Sequence, residues 1–218
     1  MQMIKSLVAA AAVAACGLAH AGPTTTFTVL DAAPQGVVST VSFNGGATTA
    51  SRSTVEYYGT STNPAGSFAA FCLEPNVPLG NPQVYDVGAF TSTVAAALSK
   101  LFTGAGWQSW NYAADSVTTD IQKVGLGLAV WDIAADGSFD LAGGSFRVID
   151  DGLNGAAVAF ANLAYSKGNT SLAGNLLRLS SVDTQDLVIA VPEPSTYALM
   201  FAGLGVIGHV VRRRRQRD

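Results

Sequence analysis

Two histidines occur in the whole chain, His20 and His209, and each lies close to one end. Between residues 22 and 190 there is no imidazole, so that stretch lacks the side chain that ordinarily exchanges protons near neutral pH and most often holds zinc. A Ser-His-Asp or Cys-His relay cannot be assembled from it. Carboxylate chemistry remains open. The stretch holds thirteen Asp and Glu residues, and a glycoside-cleaving site needs only two of them across a cleft. With thirteen available some pair is always present, so the number selects nothing. Asp132, Asp136, Asp140, Asp150 and Asp151 fall near Gly137 and Gly152 and form a candidate oxygen-donor set for calcium. Their spacing is not that of an EF-hand loop, and aspartates beside glycines more commonly cap helices and turns in water. The expectation is a chain without catalytic residues, metal or cofactor, and the alternative is a carboxylate glycosidase acting on polysaccharide.

Cys72 is the single cysteine between residues 22 and 190, so no disulfide forms within that stretch. It stands in the apolar run Ala70-Phe71-Cys72-Leu73, the usual setting of an inert core thiol. Trp107, Trp110 and Tyr112 lie near glycines between two helical patterns. Rings so placed stack on sugars or close a hydrophobic core, and the core role is the commoner one.

The two ends carry a different kind of information. Lys5, the apolar run Leu7 to Ala15 and the small residues of Ala19-His20-Ala21 have the layout of a secretory signal, with signal peptidase cutting between Ala21 and Gly22. A rival reading takes Val13-Ala14-Ala15-Cys16 as a lipoprotein box with Cys16 lipidated; Val13 stands where leucine is preferred, and Ala19-His20-Ala21 is the cleaner site. At the other end, Tyr197 to Val211 is apolar and is closed by Arg212, Arg213, Arg214 and Arg215. Fifteen helical residues reach about 22 Å, short of a ~30 Å hydrocarbon layer. Snorkelling arginines make up part of the difference, so a transmembrane helix is expected, with the arginines cytoplasmic and everything upstream outside. A basic tail also suits nucleic acid. Its place directly behind an apolar helix, and the net charge of about −7 over residues 22–190 (six basic against thirteen acidic side chains), argue against nucleic acid as a partner.

Between the body of the chain and that helix stands Val191-Pro192-Glu193-Pro194-Ser195-Thr196. Its prolines hold the backbone extended and remove amide donors, which keeps it out of both the preceding strand and the following helix. The order Pro192-Glu193-Pro194, apolar helix, arginine cluster resembles the PEP-CTERM sorting signal of Gram-negative bacteria. That resemblance implies recognition by an exosortase, a membrane cysteine peptidase, and transit to the cell surface or exopolysaccharide matrix. His209, a polar residue near the arginine end, departs from the pattern only slightly. Three segments follow: signal peptide 1–21, passenger domain 22–190 and sorting signal 191–218.

The passenger has a second, looser likeness. Cys72 on a strand, a helix with Leu101-Phe102 and a helix ending Leu128-Ala129-Val130-Trp131-Asp132 are similar to thioester domains of bacterial surface adhesins. There the resemblance implies a cysteine joined to a glutamine side chain, four residues before the tryptophan. Here that position is Gly127, and Gln122 lies about 140° further round the helix. A covalent thioester through Cys72 is thus an alternative function for which the glutamine is missing.

The elements that must position these residues read as follows. Thr24 to Leu30, Val37 to Phe43, Arg52 to Tyr58 and Ser67 to Glu74 are short runs rich in Val, Phe, Tyr and Thr, separated by turn clusters. The alternation Val37, Ser39, Val41, Phe43 turns one face to a core, and Phe68 to Leu73 is apolar on both faces, as in a central strand. Helices are predicted over 93–102, capped by Ser92 or Thr93 with Gly104 past its end, over 119–135 with a stop at Gly137, and over 156–165, presenting Phe160, Leu163 and Ala164. Strands return at 177–182 and 187–191. The predicted fold class is α+β: a β-sandwich or barrel-like framework with inserted helices, an N-terminal signal peptide and a C-terminal transmembrane helix. The expected role is an exported surface or matrix protein, structural or adhesive, with signal peptidase and exosortase as partners during export and exopolysaccharide as the candidate ligand.

Overall fold

The computed structural model describes residues 24–33, 38–110, 117–149, 154–192 and 202–204. Signal residues 1–21, the Ala21–Gly22 site, Glu193, Pro194 and Arg212 to Arg215 lie outside them, as do Tyr112, Asp150 and Asp151. Of the expected transmembrane helix only residues 202–204 are described, and they are helical. Among the described residues no helix is long and apolar enough to cross a membrane.

The chain order is β1 (Thr24–Ala33), β2 (Ser39–Phe43), β3 (Thr48–Arg52), β4 (Glu56–Thr62), β5 (Ala65–Cys72), β6 (Gln83–Ala89), α1 (Ser92–Ala105), α2 (Asp120–Asp136), β7 (Arg147–Val148), α3 (Gly155–Lys167), β8 (Leu176–Ser180) and β9 (Leu187–Ala190). Six strands close an antiparallel barrel in the order β1-β4-β5-β9-β8-β6, and β3-β2-β7 form a separate three-stranded sheet. The fold is thus mixed α+β with a closed barrel. Closure leaves none of the six strands with an unpaired edge. All three helices and β7 are inserted between β6 and β8, which are nevertheless barrel neighbours, with Asp86 opposite Ser180 and Ala89 opposite Leu177.

Burial explains the strand pattern. In β5, Phe68 to Cys72 are all buried, because β5 carries the barrel on one side and α2 on the other. In β1, Thr25 and Phe27 turn inward; Thr25 Oγ1 meets Ser61 Oγ at 2.8 Å, and Phe27 lies against the bare backbone of Gly59. The run read as one strand over 52–58 is two: β3 ends at Arg52, and β4 starts at Glu56 in a different sheet. β6, absent from the sequence reading, has Tyr85 as its single buried residue.

The helices follow their caps. Thr119 caps α2, its hydroxyl taking the Gln122 N–H while Gln122 Oε1 takes the Thr118 and Thr119 N–H groups, a reciprocal capping box. Gly137, at φ 72, ends that helix. α1 is capped by Thr91 rather than Ser92 or Thr93, and it ends at Gly106 rather than before Gly104. Gly104 is a crossing point instead: its bare Cα faces the Ala164 carbonyl of α3, as Gly168 faces the Lys100 carbonyl of α1. The same close approach changes α3, which buries Ala157, Ala161 and Ala164 and leaves Leu163 51% exposed. Small side chains are what let two helix backbones approach this closely.

Replacing Gly104 by Ala tests the crossing by the sign of its effect. Helix propensity alone predicts a gain of about 1 kcal/mol. A Cβ wedged against a backbone carbonyl predicts a net loss of about 1–3 kcal/mol, read as a lower urea midpoint for the folded domain.

Candidate functional site

Three groups of functional side chains are brought together, two built into the core and the third at the end of α2 with only Asp132 buried. The first joins the barrel to the helices. Glu56 opens β4, opposite Phe71 of β5 and Ala33 of β1. Its Oε2 lies 2.9 Å from Nζ of Lys123 in the first turn of α2, and its Oε1 accepts the Trp107 Nε1–H at 2.6 Å just beyond α1. The Lys123 and Glu56 side chains are 6% and 1% exposed. Phe71, Phe102 and Trp107 pack around them, with the Phe102 and Trp107 centroids 4.2 Å apart. A charge so placed requires its partner: together the pair is neutral, whereas either ion alone would be stranded in an apolar interior. Trp107 is therefore a core residue. Trp110 is half-buried and packs against the core's edge.

The second group surrounds Cys72. Its Sγ accepts the Trp131 Nε1–H at 3.0 Å, and burial pushes the thiol up to about 12, with the indole N–H acting weakly the other way. The thiolate is the nucleophilic form, and it is scarce here at any ordinary pH. Burial also raises the nearby Tyr57 phenol, whose oxygen accepts the Gln185 amide N–H at 2.9 Å. Gly127, where the thioester resemblance places a glutamine, lies flat against Thr54; a Cβ there would come within 2.5 Å of the Thr54 Cβ. Gln122 spends its amide oxygen on the helix cap. Gly127 is thus the contact through which α2 seats on the segment between β3 and β4.

The third group lies at the end of α2. Asp132 is fully buried; Oδ2 accepts the Asp140 N–H at 2.6 Å, and Oδ1 takes no hydrogen bond among the described residues. Burial pushes its carboxyl up to about 7, and the charges of Asp136 and Asp140 act in the same direction. Asp136 spends both oxygens on the Ser145 and Phe146 N–H groups, and Asp140 Oδ1 takes the Ala142 N–H. These are turn-bracing aspartates that fix the connection from α2 to β7. No group of three or more His, Cys, Asp or Glu side chains converges to hold a metal ion among the described residues. A cavity of about 400 Å³ lies beside this loop, between Leu141, Val148 and Val158, with Asp140 and Asn162 as its polar lining. Among the described residues it gathers no second carboxylate.

The sorting segment is reached through β9. Ala190 is fully buried, the Val191 N–H is bonded to the Asn175 carbonyl at 2.9 Å, and Pro192 follows, half-buried. Residues 190–215 match the family model of the PEP-CTERM protein-sorting motif. No curated protein and no solved structure matches the chain. The chain thus carries a PEP-CTERM sorting motif, which implies an exosortase as processing partner and export to the cell surface or extracellular space.

Two measurements test these environments. The folded domain holds the Asp132 proton more tightly than the unfolded chain, whose Asp titrates near 3.8. The cost of ionising Asp132 is therefore absent below about pH 4, grows as pH rises and is fully present above about pH 7. Asp132→Asn keeps an acceptor for the Asp140 N–H and removes that cost, so the variant's Tm should gain on the native protein between pH 5 and pH 8; parallel profiles would contradict the assignment. Separately, Lys123→Met should destabilise by about 3–5 kcal/mol by stranding Glu56. Adding Glu56→Gln, which still accepts from Trp107, should restore most of that loss in urea unfolding.

Proposed function

We propose that this chain is an exported, non-enzymatic surface or matrix protein. Its barrel domain makes structural or adhesive, non-covalent contact with exopolysaccharide or neighbouring cells. The observation that carries the reading is the sorting motif at residues 190–215, which begins where the last barrel strand ends. An acidic domain with a net charge near −7 over residues 22–190 suits a soluble surface role and repels nucleic acid and anionic lipid. The absence of histidine from residues 22–190, the sealed Cys72 thiol and the turn-bracing roles of Asp136 and Asp140 support a role without catalysis. In this reading the apolar segment after Thr196 holds the chain in lipid until an exosortase processes it near Pro192-Glu193-Pro194.

Cell fractionation of a tagged chain, with and without the segment from Pro192 onward, tests the reading. The full chain should collect at the cell surface or in the matrix, and the shortened one should not. If both forms collect in the same place, the sorting role is wrong. Purified residues 22–191 should also co-sediment with isolated exopolysaccharide; a domain left wholly in the supernatant would remove the adhesive part.

A further inference from the structure

The last barrel strand and the sorting motif are contiguous in the chain. Leu187, Val188, Ile189 and Ala190 of β9 each have 0% exposure. All four residues pair with β8, from Leu179 opposite Leu187 to Leu176 opposite Ala190, and Leu187 and Val188 pair also with Cys72 and Phe71 of β5. Val191 is still held, through its N–H to the Asn175 carbonyl. Pro192 comes next. Pro194 lies three residue steps beyond Val191, and an extended chain covers at most about 3.6 Å per step, so the motif is tied within about 11 Å of the barrel.

A peptidase binds its substrate extended, through main-chain hydrogen bonds on either side of the bond it attacks. A groove that grips about four residues ahead of the Pro192–Glu193 or Glu193–Pro194 bond takes in the end of β9, Ala190 alone or with Ile189. Ile189 and Ala190 are already paired with Leu177 and Leu176 of β8 and fully buried, and the two residues before them are paired to β5 as well. Resting on the sorting role proposed above, we infer that docking of β9 in the barrel and entry of the motif into the exosortase compete for the same stretch of chain. The tail is processed from chains whose β9 has not yet docked or has let go. Because a strand buried on both faces opens rarely once placed, the favoured moment is before the barrel closes. Folding then sets a time limit on sorting.

The test compares tail removal by pulse–chase in cells that express the exosortase, using the full chain and a form with about six Gly and Ser residues inserted between Val191 and Pro192. The spacer leaves β9 intact and moves the motif clear of the barrel, so processing should quicken by about tenfold or more, a factor set by how rarely a core strand opens. Ile189→Ala, which loosens β9, should quicken processing of the native chain and leave the spaced chain unchanged. Equal rates for native and spaced chains would overturn the competition while leaving sorting intact. A tail that stays uncut in every form, the spaced one included, would overturn the sorting role and this inference with it.

Discussion

The structure depends on one closing contact, the insertion of β9 between β5 and β8. Without those four residues the other five barrel strands form an open sheet, with two unpaired edges and an apolar interior facing water. The contact is braced beyond its ladder. Asp186 receives Arg178 Nη2 at 2.5 Å and the Ser181 N–H at 2.9 Å, and its own N–H goes to Glu74 Oε2 at 3.0 Å. Gln185 reaches Tyr57, and Thr184 reaches the Pro78 carbonyl. The turn before β9 thereby touches the ends of several strands at once. Because β9 is also the last element before the sorting motif, folding and sorting share a boundary with almost no spare chain.

The helices are the second dependency. Their insertion between β6 and β8 lengthens the chain path without breaking the barrel, provided the insert packs back onto it. Glu56 supplies the polar part of that attachment, joining β4 to the start of α2 through Lys123 and to the end of α1 through Trp107. Cys72 and Trp131 add a second contact from β5 to α2. The third helix is held by close backbone approach at Gly104, Gly125 and Gly168, together with Phe160 against Gly125 and Tyr165 stacked on Phe139. Ser99 and Thr103 of α1 then bind the backbone of Asn169 and Leu172 just beyond α3. Glu56, Lys123, Cys72, Trp107 and Trp131 are thus consumed in assembly.

Legibility in the sequence followed the range of each interaction. The sorting motif is a linear string that a processing enzyme must read locally, so it could be read from sequence alone. Strands β1, β2 and β5 and the stop of α2 at Gly137 were likewise visible, because period and cap are local properties. β6 was not, since Gln83 to Ala89 buries only Tyr85 and shows no apolar alternation. The break between β3 and β4 at residues 53–55 contains neither glycine nor proline. Gly104 read as a helix stop because its true reason, the Ala164 carbonyl, is sixty residues away. The Glu56–Trp107 and Cys72–Trp131 contacts span 51 and 59 residues, beyond any periodicity.

Truncation of the passenger on either side of its last strand tests the closing contact most directly. A domain ending at Val191 should unfold in urea as one cooperative transition, with slowly exchanging amides in β5 and β8. A domain ending at Asp186 should lose both the transition and the protection. If the shorter domain unfolded as cooperatively as the longer one, β9 would not be what closes the barrel, and the coupling between folding and sorting would have no structural basis.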